Sequence, residues 1–196
     1  MLWWLRELLA CFRFLSITGH DSFWRSKRVY ELVLPASFAT LGLVLFELQH
    51  ALFADDFLSK LSGSLFQFMV FVVPFHLAAL AAVATFARGG LDEQLKGVAA
   101  QLKVWSNADN SFSFQTLTLR QYTCLLFGYL CSIGIAFILV YVISTGINFA
   151  LLLGSWSDRI TSITVFALLF FLAHYGTLSI YAITFLFDKV NGIDPP

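Results

Sequence analysis

Charge is scarce in this 196-residue chain: Asp, Glu, Lys and Arg make up 12% of it, where a soluble domain carries about 25%. Twelve basic residues are cancelled by twelve acidic ones, so no global positive field draws the chain to nucleic acid. Only three cysteines occur and none forms a CxxC pair, which excludes a disulfide-stapled module. The sequence has no GxxxxGKS/T phosphate loop, no GxSxG and no HExxH. It also lacks an Arg-rich voltage-sensor helix, a TVGYG-like filter and an inverted repeat of broken helices. From so thin a polar inventory, no enzyme activity, cofactor or metal is expected.

Apolar residues are what the chain has: 59% are hydrophobic, and they fall in long runs. A membrane-crossing helix needs about 20 such residues, because each backbone polar group must be satisfied inside the bilayer. Four stretches qualify: 32–52, 65–87, 122–152 and 160–187. Pro35 sits near the start of the first, where a helix tolerates it, and Pro74 lies inside the second. Thr118 and Gln121 have capping-box spacing before the third span, as do Ser155 and Asp158 before the fourth. Gly154 is placed to stop the third. The expected fold class is all-α: a polytopic membrane protein with four transmembrane helices, an N-terminal amphipathic interfacial helix and a cytoplasmic helical loop.

Lys and Arg are retained on the cytoplasmic side of spans. Ten of the twelve lie in 1–31, 88–120 and 188–196, against Lys60 and Arg159 in the other two connections. Both termini and the 88–120 loop are therefore expected in the cytoplasm, with 32–187 as the transmembrane domain of a plasma-membrane (if bacterial, inner-membrane) protein. With the acids counted by side, the neutral total divides into a mildly basic inner face and a mildly acidic outer one.

Arg6 interrupts the first apolar run, so the segment reads as an amphipathic helix rather than a cleaved signal. Trp3, Trp4, Arg6 and Arg13 are its interface anchors: Arg6, Glu7 and Arg13 cluster on one face, while Trp3, Trp4, Leu8, Phe12 and Leu15 would be buried in the headgroup boundary or against the bundle. In the middle loop, Leu91, Leu95, Val98, Leu102 and Trp105 recur at spacings of four and three. That is a short seam of helical period for self-assembly, the membrane surface or a cytosolic partner. After a polar turn, Ser111 to Phe114 alternate like a strand, or lay two phenylalanines at the interface.

Three polar residues stand out at graded depths in the spans: Glu47, His76 and His174. Intramembrane ionisable groups mark function by default. Here they read either as hydrogen-bonded packing and interfacial groups or as pore and sensing residues. Gly128, Ser132 and Ala136 form a small-residue stripe on the third span, suited to close helix packing.

This layout of length, four spans, orientation and N-terminal amphipathic segment resembles the KwaA family, the membrane subunits of the Kiwa antiphage defence system. The resemblance lies in the layout, so no residue's role is carried over. It implies an oligomer, taken as a tetramer, that works with a cytosolic DNA-binding partner. Such a protein would be a sensor and scaffold that detects a membrane event and presents its cytoplasmic face to an effector. Small holin-like pores share the layout, and a channel that perturbs membrane potential is the alternative.

Overall fold

In the computed structural model the described residues are 3–17, 26–49, 53, 56–85, 90–95, 100–106, 110–147 and 157–191. Four helical stretches are long and apolar enough to cross a membrane: Val29–Leu48, Phe57–Thr85, Leu119–Thr145 and Arg159–Asp188. The chain is a multi-pass, all-α membrane protein. Large apolar side chains left exposed along these helices, such as Leu41, Phe71, Val140 and Ile163, form a surface suited to lipid.

The N-terminal segment comprises α1 (Trp3–Leu8) and a 3-10 helix (Ala10–Ser16). A π-helical turn (Val29–Val33) leads into α2 (Leu34–Leu48), followed by α3 (Phe57–Thr85). Then come two strands, β1 (Gln101–Ser106) and β2 (Ser111–Thr116), and the long helices α4 (Leu119–Thr145) and α5 (Ser157–Asn191). Gly154 and Ser155, expected to stop and start helices, lie outside the described residues, as do Val98 and the side chain of Arg6.

The middle loop departs from the helix expected there. Its second half is an antiparallel hairpin in which Lys103 faces Phe114 and Trp105 faces Phe112. The spacing of four and three coincides with a strand pattern at its C-terminal end: Leu102 is buried while Lys103 and Trp105 are exposed. Val104, Trp105, Phe112, Phe114 and Thr116 are β-branched or aromatic and favour a pleated surface over a helix. Asn110 supplies the left-handed residue that enters β2 (φ 48°), a conformation asparagine tolerates better than most. The alternation read at Ser111 to Phe114 is there as a strand.

The chain divides into two compact units that cut across the spans. One contains Met1–Val29, Pro74–Ser132 and Ala182–Pro196; the other contains Tyr30–Val73 and Ile133–Tyr181.

In the first unit the N-terminal segment docks on α4. Phe14 is fully buried, stacked on Tyr129 at 5.5 Å between ring centroids and edge-on to Tyr122 at 6.0 Å. The Cys11 thiol donates to the Ser132 hydroxyl at 3.0 Å. A Cβ on Gly128 would stand 3.8 Å from that of Cys11. Two of the three stripe residues thus receive the N-terminal segment instead of another span, and Ala136 is exposed.

In the second unit α2 and α5 run antiparallel. Ser162 donates to the Glu47 carboxylate, and a Cβ on Gly42 would come within 2.6 Å of Leu169. Among the described glycines, Gly134 has the tightest surroundings. A Cβ there would run into Val73 of α3 and lie 3.2 Å from the Tyr175 hydroxyl of α5. Gly134→Ala is therefore expected to cost about 1–2 kcal/mol by overpacking, read as a lower midpoint of thermal unfolding in detergent. Ala136→Gly, at an exposed position, is expected to lose only helix propensity, about 1 kcal/mol or less.

Candidate functional site

Two constellations gather the polar chemistry of the described residues. The first fastens the connection between α3 and α4. Arg120 sends its guanidinium to the Asp92 carboxylate at 2.8 and 3.2 Å, and to the Val83 and Ala84 carbonyls at 2.7 and 3.3 Å. These two carbonyls lie in the last described turn of α3. The backbone N–H groups of Leu119 and Arg120 donate to the Glu93 and Leu91 carbonyls, satisfying the first donors of α4. Thr118 and Gln121 complete the capping box reciprocally, at 3.0 and 3.3 Å. One side chain thus joins the end of one span, the start of the next and the loop between them.

Arg120 also holds the Asp92 carboxyl below its ordinary value of 3.8, chiefly through the hydrogen bond it donates. A carboxylate lowered on folding stabilises above its unfolded pKa, and the contribution is lost as pH falls through the lowered one. Arg120→Ala is expected to open the 90–95 segment to protease while the spans stay in the membrane. Arg120→Lys, a point charge in place of a fork, restores only part of the protection. Acidification below the Asp92 value is expected to increase cleavage of the native chain and to have much less effect on Asp92→Asn. Equal protection of Arg120→Ala and the native chain would contradict the fastening role.

The second constellation lies where the first span begins. Proline has no N–H, so Pro35 cannot complete the α-helical bond to the carbonyl four residues back, that of Glu31. The chain answers with the π-helical turn Val29–Val33 and with a donor from another span: His174 Nδ1 lies 2.6 Å from the Glu31 carbonyl oxygen. A carbonyl only accepts, so Nδ1 carries the proton, and a neutral ring keeps Nε2 as an acceptor. The Glu31 residue is 2% exposed and His174 5%. The imidazole stacks on Phe170 at 5.8 Å, and Tyr30 stacks on Tyr181 at 4.7 Å nearby in sequence. Glu31, a buried acid within a span, entered the sequence reading only as a flank charge. The signal for it was Pro35, which withholds the α-helical N–H from the carbonyl at that position.

The remaining sequence-derived residues separate. Glu47 is exposed and accepts from Ser162. Along α5, Ser162 is twelve residues from His174, about 18 Å at helical rise. His76 is buried in the other unit with its ring 5.7 Å from that of Phe127. Of the seam, Leu91 and Leu102 are buried, Leu95 is half-buried with its N–H on the Leu117 carbonyl, and Trp105 is exposed. The seam therefore divides into residues that hold the loop's own fold and one that meets the surroundings. Trp3 and Trp4 are exposed, and Arg13 is exposed. Among the described residues no group of three His, Cys, Asp or Glu is arranged to hold a metal ion.

The chain matches no protein-family model, no curated protein and no solved structure.

Proposed function

We propose that the chain is a homo-oligomeric sensor and scaffold of the bacterial inner membrane, acting in antiphage defence. It detects a perturbation of the bilayer and presents its cytoplasmic face to a soluble effector. The observation that supports this reading is the composition of the first compact unit. The three segments that the Lys and Arg count assigns to the cytoplasm fall together in it, apart from the few residues after Val29. They are also tied to the spans, by Phe14 on α4 and by Arg120 across α3, the loop and α4. A body built this way moves with the ends of the helices, which is what passing a bilayer event to a soluble partner requires. The layout shared with KwaA subunits supports the same assignment, with a tetramer as the assembly. His76 and His174, the two residues weighed for a conducting path, are both buried within the chain rather than facing outward.

The test is native mass spectrometry of the chain extracted in native-lipid discs, from resting cells and from cells whose membrane has been depolarised. A homo-oligomer whose soluble companion is gained or lost on depolarisation is expected. A monomer, or an oligomer with no companion in either state, would overturn the reading.

A further inference from the structure

The hairpin has two unlike faces. Leu102 points inward and is buried, and the flanking Ala100 and Leu117 are buried with it, their chains joined by the Leu117 N–H to the Ala100 carbonyl at 3.0 Å. The other face carries Trp105, Phe112 and Phe114, exposed by 47, 57 and 60%. Trp105 and Phe112 meet edge to face at 4.9 Å, and the Lys103 ammonium stands 4.4 Å over the Phe112 ring. Two strands alone are marginal in water, and an exposed aromatic face of this kind needs a cover.

We infer that this face lies in the headgroup layer of the bilayer and contacts anionic phospholipid, the aromatic rings at the acyl boundary and Lys103 on phosphate. Three observations choose lipid over other occupants. The first is tether length: β2 ends at Thr116 and the membrane-crossing α4 starts at Leu119. Three residues of extended chain span about 10 Å, so the hairpin stands at the bilayer boundary. The second is charge: Lys103 is the only ionisable side chain among the described hairpin residues, 101–106 and 110–116. A cation set among aromatic rings complements an anionic interface. The third is company: Trp3, Trp4 and Trp105, the described tryptophans, are all exposed and all belong to the same compact unit. Tryptophan concentrates at the membrane–water boundary because its ring is apolar and its N–H is not.

The inference deepens the sensor reading by naming an element that touches lipid and the lipid chemistry it selects. It does not depend on assembly, so the two fail separately. The full chain and Trp105→Phe are placed in nanodiscs of phosphatidylcholine, or of phosphatidylcholine and phosphatidylglycerol in equal parts. The difference between their emission spectra isolates Trp105 without disturbing the fold. A blue-shifted difference emission is expected. Lipid spin-labelled near the headgroup should quench most of it, aqueous acrylamide should quench little, and the lipid quenching should be stronger with phosphatidylglycerol. Lys103→Gln is expected to move the hairpin's partition between interface and water about fivefold toward water, the value of one basic residue near an anionic surface. Quenching by acrylamide but not by lipid would place the face in water. Quenching by neither would place it against protein. Either result overturns the inference.

Discussion

Phe14→Ala is expected to cost about 3–5 kcal/mol and to release the N-terminal segment from α4. The segment is short: one and a half turns of α-helix and a 3-10 stretch, too little to persist alone in water. Its grip on α4 centres on Phe14. The Phe14 ring is fully buried against Tyr122 and Tyr129, Phe12 meets Tyr129 edge-on at 5.6 Å, and Lys27 donates to the Phe14 carbonyl while lying over its ring at 4.0 Å. Truncating Phe14 removes the filling of that site and the ring under the Lys27 ammonium. Cys11 reports the outcome, because docking holds its thiol on Ser132 beside Gly128. Rapid maleimide labelling of Cys11 in Phe14→Ala, with slow labelling in the native chain and in Phe14→Leu, is the expected pattern. Equal rates in all three would show that docking does not depend on the ring.

The second large effect is at His174. Replacing it with leucine leaves the Glu31 carbonyl without the imidazole donor, in a helix that already lacks the Pro35 N–H, at an expected cost of about 2–3 kcal/mol. Pro35→Ala returns an N–H at the position that would bond the same carbonyl in a regular helix. The double variant His174→Leu, Pro35→Ala is therefore expected to recover part of the loss. Both single variants and the double are measured by thermal unfolding in one detergent, and the coupling is read from the cycle. A coupling near zero would mean that His174 and Pro35 act on different groups. His174→Asn, which keeps a donor near Nδ1, is expected to fall between native and leucine.

The spans were legible because the length of an apolar run reports directly on burial in lipid. The capping box at Thr118 and Gln121 was legible because it is local, three residues apart on one chain. Contacts between distant segments were not. Gly128 and Ser132 read as a helix-packing stripe, yet the partner that fills them comes from residue 11, and no local pattern names it. Gly134, where Val73 and Tyr175 of two other helices leave no room for a Cβ, lies off the four-residue register that drew attention to its neighbours. Leu91 to Trp105 show how short segments mislead: over two heptads, spacings of three and four overlap with the alternation of a strand, and the aromatic partner at 111–116 decides between them. At the second constellation Pro35 reads from the sequence only as tolerated near a helix start. That it withholds the α-helical N–H from the Glu31 carbonyl is a local fact, but the choice of His174 to bond that carbonyl belongs to the tertiary structure.

The sensor and scaffold reading depends on which side of the membrane the first unit faces, and paired cysteine accessibility in intact cells measures this directly. Ser113 marks the hairpin and Gln49 the far end of the first span; both are exposed. Each is replaced by cysteine and treated with a membrane-impermeant maleimide, with the native chain as background. Labelling of Gln49→Cys in intact cells, and of Ser113→Cys only after the membrane is broken, is the expected result. Labelling of Ser113→Cys from outside intact cells would put the hairpin and the unit that carries it on the wrong side, and would contradict the proposed function.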